Sequence, residues 1–350
     1  MSKINWLAKK KFNLQNIDNY LVPSLDLNQF TNYGPGVKKL ESWFAENLGL
    51  DSDRSVIVVS NGAAALHILA AALDISFGKK RQYVTGDYAF PCVAQGYLLD
   101  SFIVDTDRDG GLNLEQIEKG EGLIVTNLFG HCVDIDKYLK FCEKRAWPCI
   151  FDNACASYTF YQGKNVVNYG DGCIISLHHT KPIGFGEGGL IVLKKEYEDY
   201  ARRLINFGFS ISNNQVSWHP WGNNAKMSDI SAVFIYDYLT TNFKKIVETN
   251  TRLYQEFTKR LQDVKNFQLL RNYSDPLPLV NCLPLCCNHE ITGDHLYTLE
   301  LNGITARKYY TPLVGHENAS KLFKHIICLP IHVDLTVDDI DRYVKALNML

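Results

Sequence analysis

The chain has 350 residues, a formal net charge of −2, 46% hydrophobic and 12% aromatic residues. That is enough to bury a large core and to build two lobes, while the near-balanced charge offers no basic field for nucleic acid or an anionic membrane. No apolar run reaches the roughly 18–20 residues of a membrane span, and the start MSKINWLAKKKFNL has no apolar segment behind its basic residues, so it does not read as a secretory signal. Ten cysteines without a C-x-x-C pair, most of them inside apolar runs such as Pro148-Cys149-Ile150, read as small hydrophobes in a reducing cytoplasm and not as a disulfide or zinc framework.

From 54 to 194, short apolar runs alternate with helical-period segments. Strands are expected at 54–60, 82–85, 102–104, 122–127, 148–152, 172–177 and 189–194. Helices are expected through AAALHILAAAL and at 91–99 and 135–146. Strands without polar alternation, separated by helices, predict an α/β body with a mostly parallel sheet covered on both faces. Next comes a long helical-period stretch, 229–264, with Ser228 as N-cap, long enough that a bend or split is expected. The last 85 or so residues mix strands at 267–270 and 304–309 with helices at 294–301 and 337–347, the pattern of a smaller α+β lobe. The division expected is 1–240 for a large domain with an N-terminal arm, and 241–350 for a small C-terminal domain.

The stretch from 176, SLHHTKPIGFGEGGL, satisfies the spacing G-x-G-x-x-G at Gly184–Gly189, but the glycines lead into the strand-like Leu190-Ile191-Val192-Leu193. A dinucleotide fingerprint must open a helix, so this match is accidental. His178 and His179 have no local metal partners, and neighbours on a strand face opposite ways, so no metal site is expected. There remains Lys181, just past a buried strand and braced by glycines that let backbone pass close to something bulky.

Three further segments fit one chemistry with that lysine. Ser60-Asn61-Gly62-Ala63-Ala64-Ala65 joins a strand to a helix, where free backbone N–H groups suit a phosphate. Ile150-Phe151-Asp152-Asn153-Ala154 ends a buried strand with a carboxylate that wants a cationic partner, such as a pyridinium nitrogen. Tyr88-Ala89-Phe90-Pro91 offers an aromatic that could lie on a ring. Each has a plainer reading, as a turn, a paired polar group or core packing. Together they are what pyridoxal phosphate requires.

With these segments in place, the chain resembles the DegT/DnrJ nucleotide-sugar aminotransferases within the fold-type-I pyridoxal phosphate enzymes. The resemblance runs from Asn32-Tyr33-Gly34-Pro35-Gly36-Val37 to Leu329-Pro330-Ile331-His332, and is densest where SLHHTKPIGFGEGG is similar to the family's S-F-H-x-T-K…G-E-G-G. It implies that Lys181 is the Schiff-base lysine, Asp152 the acid at the pyridine nitrogen, Ser176 a phosphate ligand, Gly62 and Ala63 the phosphate-binding pair, and Phe90 the stacking aromatic. Asn224, in a segment similar to G-x-N-x-R-M-S, is implied to reach the phosphate of a neighbouring subunit in a homodimer with shared sites. His178, Trp221, Lys226, Arg307 and Tyr310 are the substrate-side candidates. The sequence also departs from the family. Ala63 stands where a threonine is usual, Cys155 where Gln or His touches the ring hydroxyl, and Lys226 where Arg is usual.

The function expected is transfer of an amino group from L-glutamate to C4 of a nucleotide-linked 4-keto-6-deoxyhexose, with the cofactor passing through its pyridoxamine form. Amination of C3 on a 3-keto isomer, or a cofactor-binding sensor without catalysis, are the alternatives. A dehydratase of the same family, with histidine in place of the lysine, is disfavoured because Lys181 is present.

Overall fold

The computed structural model describes residues 3–212, 215–275 and 278–350. Two helices lead in: α1 (Leu14–Asp26) and α2 (Pro35–Asn47), the latter with a proline in its first turn, where no amide is lost. The central sheet has seven strands: β1 (Arg54–Val59), β2 (Tyr83–Gly86), β3 (Phe102–Val104), β4 (Gly122–Thr126), β5 (Cys149–Asp152), β6 (Gly172–Ser176) and β7 (Gly189–Lys194). Their spatial order is β1-β7-β6-β5-β4-β2-β3. β7 alone runs against its neighbours β1 and β6; the other pairings are parallel. The sheet is thus mostly parallel, and its central strands are buried along their length apart from Thr126 at the end of β4, as expected of strands covered on both faces.

Helix α3 (Gly62–Ser76) follows β1 directly. It is capped by Asn61, whose side chain accepts from the Ala64 amide at 2.8 Å, and its residues from Ala65 to Asp74, all buried except His67, lie against β6 and β7. Helices α4 (Ile135–Glu143) and α5 (Glu198–Leu204) complete this body. Helix α6 (Asp229–Arg260) then runs for 32 residues without a split, contrary to the expected break. It contains no Pro or Gly, and each half has its own core to pack on. Ala232, Ile235, Leu239 and Ile246 join the core under the large sheet, whereas Leu253, Tyr254 and Phe257 join a second one. An expected domain boundary after 240 falls inside this helix.

The second core belongs to a three-stranded antiparallel sheet, β8 (Phe267–Leu269), β9 (Leu283–Cys287) and β10 (Ile326–Leu329), with α7 (Gly293–Leu301) and α9 (Val337–Leu347), while α8 (Glu317–His325) packs Ala319 and Leu322 into a separate cluster with Trp6, Tyr88 and Leu128. Two expectations are corrected. Segment 91–99 is not one helix but two short 3-10 turns, Pro91–Ala94 and Gly96–Leu98, because Gln95 between them is extended and Gly96 takes φ 55°. Segment 304–309 is no strand. It touches others through isolated bridges, Ile4 to Ile304 and Arg307 to Cys328, while β9 and β10, unassigned in the sequence, hold the sheet positions. None of the ten cysteines forms a disulfide, and no helix among the described residues is long and apolar enough to cross a membrane.

Candidate active site

Register places the chemistry-bearing residues at one edge. Asp152 is the last residue of β5, opposite Thr126 on one side and Ile174 on the other. Ser176 ends β6 opposite Gly189, and β1 runs out opposite the same glycine into Asn61 and Gly62. A cavity of about 540 Å³ opens there, outside the carboxyl ends of the parallel strands, where α/β sheets characteristically hold ligands.

The glycine run is explained by close approach. A Cβ on Gly189 would stand 2.5 Å from the Asn61 carbonyl group and 2.8 Å from the Gly62 amide, and one on Gly184 would stand 2.1 Å from the carbonyl oxygen of His178. These glycines let β7 and the lysine turn lie flat against the strand ends; none of them opens a helix.

One end of the cavity is a set of donors. Gly62 and Ala63 head α3, and among the described residues their amides donate to no protein acceptor, as expected in a helix's first turn. A side chain at 62 would meet Ser176 Cβ at 3.2 Å, so glycine leaves this corner the most room. The Ser176 hydroxyl oxygen accepts from the His178 amide at 3.2 Å, which leaves its own proton free to donate into the cavity. Thr126 lines the same cavity, and its Oγ1 is buried and has no hydrogen-bond partner among the described residues.

The middle of the cavity holds the acid and the amine. Asp152 is 2% exposed, and the one hydrogen bond its carboxylate accepts among the described residues comes from the Ala154 amide at 3.0 Å. Burial pushes its carboxyl above the usual range, with that amide and Lys181 acting against the rise. Lys181 Nζ donates to Cys155 Sγ at 3.0 Å. Burial by itself would lower the lysine's pKa, but the Cys155 sulfur and Asp152 outweigh it and hold the ammonium above its ordinary value. Tyr310 OH lies 3.7 Å from the same sulfur, and its ring stacks on Phe129 at 5.4 Å.

At the mouth stand Phe90, 58% exposed, and His178. The Thr180 amide donates to His178 Nδ1 at 3.2 Å, so that nitrogen is an acceptor and the proton belongs on Nε2, which faces Glu187 at 3.5 Å.

Nine expected residues therefore line one cavity: Gly62, Ala63, Phe90, Asp152, Cys155, Ser176, His178, Lys181 and Tyr310. Four do not. Arg307 lies behind the wall, its guanidinium 4.8 Å over the Trp6 ring and bonded to Tyr309 OH at 2.8 Å. Asn224 bridges Asn206, Lys226 donates to Asn206 Oδ1 at 2.7 Å, and Trp221 packs on Tyr97 and His219. Those three sit beside an exposed apolar group comprising Phe207, Phe209, Ile211, Val216 and Trp218. Trp6, Asn281 and Thr126 line the cavity without having been anticipated, since none carries a local motif.

A match to the family model of DegT/DnrJ/EryC1/StrS aminotransferases spans residues 13–348. Among curated relatives, dTDP-4-amino-4,6-dideoxy-D-glucose transaminase of Shigella dysenteriae is 24% identical, over 93% of this chain and 94% of that one. Among solved structures, DesI in the presence of its TDP-sugar product superposes with a TM-score of 0.83 at 21% identity, covering 100% of this chain and 94% of that one. Helicobacter pylori PseC, an aminotransferase involved in the biosynthesis of pseudoaminic acid, gives 0.79 at 18% identity over the whole of both chains. The fold is that of the fold-type-I aminotransferases. The chain belongs to the DegT/DnrJ/EryC1/StrS family of pyridoxal phosphate-dependent aminotransferases.

Proposed function

We propose that this protein is a pyridoxal phosphate-dependent aminotransferase that moves an amino group from L-glutamate to C4 of a nucleotide-linked 4-keto-6-deoxyhexose. The observation that carries it is the meeting of Lys181 and the buried Asp152 in one cavity whose far end is lined with unpaired donors. The residues present fit the cofactor. The amides of Gly62 and Ala63, with the Ser176 hydroxyl, would hold its phosphate at the helix N-terminus. Asp152, short of partners, would hold a proton at the ring nitrogen. Phe90 would cover a ring face. The chemistry the cofactor supplies when bound is an aldehyde carbon that carries the amino group and a ring that accepts electron density.

The rest falls to the chain. The Asp152 charge, already desolvated, needs no reorganisation to stabilise positive charge at the ring. Lys181 Nζ, once released from the cofactor, is the base that takes the Cα proton of glutamate and delivers a proton to the sugar carbon. Cys155 and Tyr310 keep that amine inside the cavity and away from bulk water. Trp6 and Tyr309, which both line the cavity, form an aromatic wall suited to the base of a sugar nucleotide, with Arg307 behind it holding the two rings in place.

The Shigella dysenteriae relative is named for a nucleotide-linked 4-amino-4,6-dideoxyglucose, and this supports C4 over C3. The patch around Trp218, with Asn224 beside it, suits the interface of a homodimer in which Asn224 serves the partner's phosphate site. The two lobes, 1–240 and 241–350, would be the two domains of the subunit. The deciding experiment is incubation of the loaded enzyme and glutamate with a 4-keto and, separately, a 3-keto 6-deoxy nucleotide sugar, with NMR at the aminated carbon as the readout. A 4-amino product is expected. Amination of the 3-keto isomer alone would move the reaction to C3, and no amination of either would end the proposal.

A further inference from the structure

The N-terminal arm meets the lysine turn from the far end of the sequence. Ile4 bridges Ile304, and the Lys9 amide donates to Asp334 Oδ2 at 2.7 Å, so the arm is tied to the small lobe. Lys10 Nζ then donates to two carbonyl oxygens of the turn, that of Lys181 at 2.5 Å and that of Gly184. Two residues on, the Phe12 ring meets Phe185 edge-on at 5.6 Å. Helix α6 closes the other side: Tyr238 OH donates to the Pro182 carbonyl at 3.2 Å, and its ring lies 5.0 Å from Lys10 Nζ. Three carbonyls of the turn that carries Lys181 are thus held by groups from two elements remote in sequence.

A lysine is a costly choice for this position. Burial brings its pKa down to about 7, and among the described residues no opposing charge offsets that shift. A leucine or methionine would fill the space without the cost. What lysine supplies is several N–H donors on one atom, enough for two carbonyls that a tight turn leaves facing a poorly solvated interior. Both the ammonium and the neutral amine can make these two bonds.

We infer that Lys10 is a positioning residue, whose Nζ pins the 181–184 turn so that the Lys181 side chain is directed into the cavity. The inference rests on the role proposed for Lys181, but its first test does not need activity. In the cofactor-free full-length protein, hydrogen–deuterium exchange should be followed on peptides covering 178–188. Lys10→Met should accelerate exchange there about tenfold, the loss of roughly one to two net hydrogen bonds, with the unfolding midpoint close to wild type. Lys10→Arg, which keeps the donors, should restore protection.

In the loaded enzyme, Lys10→Met should lower kcat about tenfold through misplacement of the reacting amine, leaving KM for both substrates near wild type, and Lys10→Arg should recover most of it. Unchanged exchange in Lys10→Met, or Lys10→Arg behaving like it, overturns the inference. If Lys10→Met does not fold, Lys10→Gln takes its place. Raised exchange confined to 178–188 then supports the clamp, and exchange raised throughout or nowhere overturns it. A wild-type protein that aminates no sugar nucleotide would sink the proposed function and leave the exchange result intact.

Discussion

Lys181 Nζ lies 3.0 Å from Cys155 Sγ, and that sulfur is the foremost influence holding the buried ammonium above its ordinary pKa. The amine attacks an aldehyde only as the free base. Removing the thiol should therefore lower the lysine's pKa and increase the reactive fraction near pH 8. Cofactor-free Cys155→Ala should take up pyridoxal phosphate faster than wild type, with the pH–rate profile displaced toward lower pH. Growth of the visible or near-ultraviolet band reports it. An undisplaced profile would show that the sulfur does not set the proton affinity of the amine.

Replacing Lys181 itself removes both covalent attachment and proton transfer. Lys181→Ala should lose about three orders of magnitude or more in turnover, the scale of a lost acid–base group, while remaining folded. Borohydride should no longer fix cofactor to the chain, a change visible by mass. Normal turnover in this variant would dispose of the assignment.

Asp152→Asn should keep its shape and lose its charge. Turnover should fall about 10²–10³-fold, as for removal of a preorganised electrostatic partner. The cofactor-free protein should behave in the opposite way. The folded-state pKa of Asp152 is raised by burial, so the folded chain holds that proton more tightly than the unfolded chain. Its stability contribution is present below the unfolded carboxyl pKa and is lost as pH rises through the folded one. Asp152→Asn abolishes this loss, and the melting-temperature difference between variant and wild type should move in favour of the variant as pH rises from acid toward neutral. A difference flat with pH would contradict the burial argument.

Gly189→Ala tests the packing of the strand ends. Its Cβ would stand 2.5 Å from backbone atoms of Asn61, which cannot swing aside as a side chain could. The strain should cost about 1–3 kcal/mol, as overpacked sites do, and should open the corner formed by Gly62 and Ser176. Weaker cofactor affinity together with a lower melting temperature is expected. A variant with wild-type affinity would mean that β7 can shift without disturbing the phosphate end.

The proposed dimer is tested by mixing subunits. Lys181→Ala and Asn224→Ala, each inactive or weak alone, should regain part of the activity when unfolded and refolded together, because one site of each heterodimer escapes both changes. Fully active monomer, identified by light scattering, would rule out shared sites.

The legible parts of this protein are those whose physics is local. Asp152 and Lys181 could be read because each closes or comes just after a run too apolar to be anything but a buried strand, so a charge there demands a partner. Gly62 and Ala63 could be read because a helix start leaves amides unpaired wherever it occurs. The strands 102–104 and 189–194 and the helix 337–347 lie where hydrophobic period alone placed them.

What only the tertiary structure decided involves groups distant in sequence. Nothing in Trp6 or Asn281 announces a cavity wall, and nothing in Lys10 announces the carbonyls of a turn 171 residues away. The sequence spacing of 91–99 suited a helix until Gly96 took a left-handed conformation. Asn224, Trp221 and Lys226 stand in a segment whose spacing suggested the site, yet they do not line this chain's cavity. The 32-residue helix stays unbroken because two separate cores support it. Local propensity determines which residues bear chemistry, whereas the crossovers of the sheet and the path of the arm determine which of them meet, since contacts across such separations are set by packing and by no pattern within a short window.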